Sequence, residues 1–176
     1  MSQPTHTMER AMLLSYLNRQ RDHVIGILEG LDEASLRRPV LPSGWTCLGL
    51  VRHLTLDVER FWFRQIIAGE QTVIDELDEA PDDAWQVGPD MSAEAVFDLY
   101  RQEVNLANAI IADTPLNAAP ASWPDELFGD WRIQDLREVI LHVMTETACH
   151  AGHLDAVREL IDGRSWLVLT EGAAEG

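Results

Sequence analysis

Lysine is absent from this 176-residue chain: all 13 basic residues are arginine, set against 30 acidic ones, for a formal charge of −17. So large an excess of negative charge repels polyanions. With no basic patch to interrupt it, nucleic acid and an anionic membrane surface are excluded as expected partners. Cysteine is scarce too. Cys47 and Cys149 stand far apart with no CxxC spacing, which argues against a disulfide scaffold or a zinc finger and predicts a reduced, cytoplasmic protein. No apolar run approaches the roughly 18 residues of a spanning helix. The opening MSQPTHTMER has neither the basic nor the apolar part of an export signal. Strand-like alternation is lacking as well.

What is present is helical periodicity. With 46% hydrophobic and 24% charged residues, the chain has the composition of a globular protein, and its length predicts one domain over 1–176, with a core from about 8 to 163 and a tail over 164–176. The first predicted helix covers 8–30, where Met12, Leu13, Tyr16, Leu17, Val24, Ile27, Leu28 and Leu31 recur three and four apart. Thr46 is placed to cap a second helix over 47–68, after Pro39 and Pro42, and Ser92 to cap a third over 93–113. The fourth runs over 134–162 and stops at Gly163. A long acidic crossover, EQTVIDELDEAPDDAWQVGPD, separates helices two and three, and its residues 75–83 read as a solvated surface loop without calcium-loop spacing. Four amphipathic helices with two long connections predict an all-α four-helix bundle, whose connectivity the pattern leaves open.

The fourth helix carries the chemistry. At 100° per residue, His142, Glu146, His150 and His153 fall within an arc of about 80°. Val139, Val143, Leu154, Val157 and Leu160 share or border that side, so the polar stripe is predicted to face inward. A carboxylate and imidazoles buried together are costly unless paired or bound to a cation. Glu146 and His150 have the i, i+4 spacing that brings two ligands together on a helix. A catalytic metal usually takes three protein ligands and keeps one position open. His53, at the apolar edge formed by Leu50, Leu54, Val58 and Phe61 on helix two, is the candidate third, and Asp57 lies one turn further on. His153 and His142 are candidate ligands or hydrogen-bond partners of ligands, and Asp57 a candidate partner of His53. A set of two histidines and one glutamate suits zinc first, with nickel or iron(II) as alternatives.

The run HLTLDVERFWF on helix two, with E-x3-H-A-G-H-L-D-x3-R-E-L-x-D-G on helix four, resembles the DinB-like superfamily. Within it the chain is similar to the actinobacterial DUF664 branch, near the mycothiol-dependent maleylpyruvate isomerases and mycothiol S-transferases. The likeness runs from the first helix to Gly163, and the absence of lysine suits a GC-rich source. It implies a DinB-like bundle with a long crossover between helices two and three, and a divalent metal held by one histidine of helix two and two ligands of helix four. Many members place His-x3-His there. Glu146 with His150 matches the thiol-dependent branch instead and favours that pair over His150 with His153. The resemblance thus implies a metal-dependent S-transferase or isomerase, a small-molecule thiol such as mycothiol and an electrophile as partners, and a homodimer as an option.

Two other readings fit the same residues. One is a non-catalytic, metal-binding stress-response bundle that dimerises through exposed aromatics such as Trp62 and Phe63. The other is a hydrolase using metal-bound hydroxide. Arg60, Arg64 and Arg158 are candidates to hold a substrate carboxylate. Cys149 reads as a buried, inert thiol. The six tryptophans read as packing anchors, of which those in the connections could line a pocket mouth.

Overall fold

The computed structural model describes residues 3–79 and 83–166. It is all-helical, with no strand among the described residues: α1 (Gln3–Gly26), α2 (Glu33–Arg37), α3 (Cys47–His53, extended without a break by a π-wound stretch, Leu54–Ile67), α4 (Gln71–Glu79), α5 (Ala93–Asp113), α6 (Asp125–Phe128) and α7 (Leu136–Asp162). Four of these are long and form the bundle. α7 packs between α1 and α3, and α3 between α7 and α5. The ring closes where α1 meets α5: Arg10 donates to the Ala112 and Thr114 carbonyls, and Arg21 to Asn108 Oδ1. The connections α1 to α3 and α5 to α7 therefore cross the bundle diagonally, which explains why both need long linkers.

Local chemistry sets the ends of the elements. Thr46 Oγ1 accepts from Gly49 N at 3.0 Å, Ser92 Oγ from Ala95 N at 3.2 Å and Asp135 Oδ1 from Glu138 N at 3.0 Å, each satisfying an N–H that the first helical turn leaves without a partner. Gly163 closes α7 at φ 79°, a left-handed position that suits glycine. Past His53 the winding of α3 widens to i→i+5 hydrogen bonding, up to an Ala68 N–H to Phe63 carbonyl bond of 2.9 Å. Such winding often occurs at functional positions.

The core lies between the four long helices, with Leu17, Leu28, Leu48, Leu50, Leu54, Ile66, Ile111, Leu136 and Ile140 buried. The structure corrects several boundaries and faces. α1 begins before residue 8 and ends at Gly26, with turns over 27–30. Met12 and Tyr16, assigned to its apolar stripe, are exposed, as is Leu160 on α7; each lies beyond the arc that the neighbouring helices cover. The crossover opens with α4, which packs on α3 and buries Val73; residues 75–79 of the expected loop are thus helical, with Asp75 and Glu76 exposed as expected, while residues 80–82 lie outside the described residues. Of the expected tail, Trp166 stacks on His23 with ring centroids 5.1 Å apart, and the remainder from 167 lies outside the described residues.

Candidate metal centre

His53 stands where α3 changes its winding, and Glu146 and His150 face it from α7. One donor atom from each of the three lies within 4.8 Å of the others, and among the described residues no other set of three His, Cys, Asp or Glu groups meets so closely. All three side chains are half-buried. The helical wheel accounts for this: Glu146 and His150 occupy the edge of the buried stripe formed by Val139, Val143, Leu154 and Val157, so their side chains reach inward while their Cα atoms stay at the rim.

Each candidate ligand has a defined neighbour. His53 Nδ1 donates to Asp57 Oδ2 at 2.8 Å, leaving Nε2 directed into the site, 3.8 Å from Glu146 Oε1. His142 Nε2 lies 3.3 Å from Glu146 Oε2. His150 Nδ1 is buried and has no hydrogen-bond partner. A buried polar atom without a partner is costly; six side-chain atoms of the described residues are in that state, and His150 Nδ1 is the one that belongs to a residue of the three-donor group.

The electrostatics follow from these contacts. Hydrogen bonds with His142 and then His53 outweigh burial and hold the Glu146 carboxyl down at about 2. Burial would lower His53, but its bonds to Asp57 and Glu146 prevail and raise it to about 9. His150, without a carboxylate of its own, is lowered by burial and by the His53 charge to about 4. Its imidazole is therefore neutral at neutral pH, the form that can coordinate an ion.

Gly49 positions the remaining wall. A Cβ at this glycine would come 2.3 Å from the Trp85 carbonyl oxygen, so only glycine lets the crossover lie against α3 here. Arg52 Nη1 ties the same strand of chain down through the Asp83 carbonyl at 2.8 Å. Trp85 consequently stacks on His53, with centroids 4.2 Å apart and planes at 16°, and stands 5.8 Å from the His150 ring. It also lines a cavity of about 440 Å³ with Arg37, Trp45, Thr46 and Gln86. A second cavity, about 400 Å³, opens from His53, Asp57, His142 and Glu146 onto aromatic walls.

Residues 12–163 match the family described as mycothiol-S-transferase. The chain belongs to the mycothiol S-transferase family. No curated protein and no solved structure matches it. The three residues read from the sequence as candidate ligands lie together in this family member, with Asp57 and His142 beside them.

His153, a candidate ligand or partner of a ligand, is exposed, with its ring 5.5 Å from that of His150 and 6.3 Å from that of Trp45, beside the group of three donors and not within it. Other expectations are corrected. Cys149 is exposed rather than buried, because at 100° per residue it stands about 140° from the centre of the buried stripe of α7. Trp62 and Phe63 are buried in the core and offer no surface for dimerisation. The three arginines proposed for a substrate carboxylate are all engaged: Arg60 with Glu76, Arg64 with Glu70 and Glu103, and Arg158 with Asp162 and the Ile27 and Glu29 carbonyls. Gly49 was missed as a site residue, and Trp85 was anticipated only as one of the connection tryptophans that could line a pocket mouth, not as the cover of His53. A glycine inside a helical pattern usually marks close packing, and that was the available signal. No helix of the described residues is long and apolar enough to cross a membrane.

Proposed function

We propose that this protein is a divalent-metal-dependent thiol S-transferase in which His53, Glu146 and His150 hold the ion, mycothiol supplies the thiol and a small electrophile accepts it. The observation that carries this reading is the convergence of the three donors across α3 and α7, with His150 Nδ1 buried and unpartnered. The donor set fits zinc, with nickel or iron(II) as alternatives. Such an ion would supply the Lewis acidity that lowers the pKa of a thiol at the open position.

The chain's own residues prepare that chemistry. Asp57 accepts a hydrogen bond from His53 Nδ1 and so fixes the ring with Nε2 toward the site, the carboxylate–histidine arrangement common behind metal ligands; because the two carboxylates favour the protonated ring, His53 would give up its Nε2 proton on binding an ion. His142 engages Glu146 Oε2 and leaves Oε1 toward His53. Trp85 covers one face of the His53 imidazole and keeps water from it. The cavity beside His53 and Glu146 gives the electrophile a place next to the thiol.

Metal analysis of the purified protein beside Glu146→Ala and His150→Ala, together with a mycothiol-conjugation assay using a bimane electrophile, tests this. Wild type should carry about one ion per chain and form the conjugate, and both variants should lose metal and product together. Equal metal content in all three proteins would overturn the site. Full metal without any thiol-dependent product would overturn the reaction.

A further inference from the structure

The cavity of about 400 Å³ beside His53 and Glu146 has a composition that bears on what it accepts. Phe61, Trp62, Leu127, Phe128 and Trp131 line it together with the ionisable groups His53, Asp57, His142 and Glu146. Trp62 organises the aromatic wall: Phe128 stacks on it at 5.6 Å and 24°, Trp131 meets it edge-on at 6.1 Å and 90°, and His142 packs on it at 4.5 Å. Trp131 and Leu127 remain 46% and 65% exposed at the mouth. Large apolar groups left in water beside a concave aromatic wall mark a surface that a ligand covers.

No arginine lines this cavity. Arg60, on the same helix as Phe61, is paired with Glu76 through Nη2, and its Nε is buried without a hydrogen-bond partner rather than lining the cavity. Arg132, on the segment that carries Leu127, Phe128 and Trp131, donates to Asp125 and to the Gly129 and Trp131 carbonyls and lies over Trp123. A divalent ion on the three ligands would have its charge partly offset by Glu146 and, more weakly, by Asp57, and would be engaged by the thiol, so an incoming carboxylate finds no guanidinium to pair with and must shed its water against aromatic rings.

We infer, building on the transferase reading, that the electrophile is an uncharged, flat, apolar molecule stacked against Phe128 and Trp131, and that carboxylate-bearing acceptors are rejected. This separates the chain from isomerisation of carboxylate substrates, for which a guanidinium in the cavity is the favoured anchor.

Calorimetric titration of the purified, metal-bearing protein with methyl 2-naphthoate and with 2-naphthoate presents the same ring with and without the charge. The ester should bind at least about tenfold more tightly, since only the acid must desolvate a carboxylate. Trp131→Ala and Leu127→Ala change exposed mouth residues, and each should weaken ester binding several-fold while leaving metal content and helical circular dichroism unchanged. Equal or tighter binding of the acid would overturn the inference, as would undiminished ester binding in both variants. Metal analysis on the same samples keeps the two proposals apart. Absent metal with a retained ester preference sinks the transferase reading alone, and full metal with a preference for the acid sinks this inference alone.

Discussion

Two polar clusters are set along α3, and they meet the cost of burial in opposite ways. Around Glu59, Arg21 from α1 makes a bidentate pair at 2.7 and 2.6 Å, and its remaining nitrogen donates to Asn18 and Asn108, both at 2.8 Å. Arg21 and Glu59 are 2% and 1% exposed; each guanidinium nitrogen and both carboxylate oxygens have a partner, so the ion pair satisfies itself. Around His53, the same helix faces Glu146 and His150 with a looser 3.8 Å contact and an imidazole nitrogen that bonds nothing. A charge cluster that satisfies itself is structural, and one that converges yet leaves capacity over is shaped for something that arrives later. Burial alone would have singled out the wrong cluster.

The largest expected effect follows from opening the closed cluster. Arg21→Ala leaves Glu59 buried without its cation and should cost about 3–5 kcal/mol of stability, read from urea unfolding, while metal content per folded molecule stays unchanged. A loss below about 1 kcal/mol would show that the Glu59 cluster is as adaptable as the His53 one. An intermediate effect comes from the open cluster. Asp57→Asn keeps the shape but removes the charge behind His53, and should weaken metal binding by about 10–100-fold in a competitive chelator titration, with little change in the unfolding midpoint. Unaltered metal affinity would mean that Asp57 merely decorates the rim.

The smallest effect concerns the cluster at the end of α7, which is closed on one side only. Arg158 is 1% exposed, whereas Asp162 is 35% exposed. The hydrogen bond from Arg158 holds the Asp162 carboxyl below its ordinary 3.8. A group depressed in the folded state stabilises the fold above its unfolded pKa, and that contribution fades as pH falls through the folded value. Acid unfolding of wild type below about pH 4 should therefore be steeper than that of Asp162→Asn, which has no such proton to gain. Parallel acid profiles would show that the pair adds nothing.

Much of the closed architecture was readable in advance. The three capping residues Thr46, Ser92 and Asp135 stand directly before periodic apolar stripes, although only the first two were read as caps. Even Arg21 was detectable, since it falls on the line of Leu17, Val24 and Leu28 and so had to be buried and paired. The errors at Met12, Tyr16, Leu160 and Cys149 share one cause. Periodicity gives the direction of a stripe, but its width depends on how many neighbours a helix has, and α1 and α7 are covered over a narrower arc than α3.

The amino-acid sequence by itself determined the helical class, the long elements and the polar stripe of α7, because these depend on residues three and four apart, which the backbone geometry of a helix brings together unaided. It also carried the family, read from the helix-two run HLTLDVERFWF and the motif around Glu146 and His150, and residues 12–163 match it. Only the tertiary structure decided that α7 lies between α1 and α3, that Trp85 covers His53 by way of Gly49, and that Phe61, Trp62, Phe128 and Trp131 enclose a cavity without an arginine. Those relations join segments far apart in the chain, and their side chains meet only after the bundle has closed.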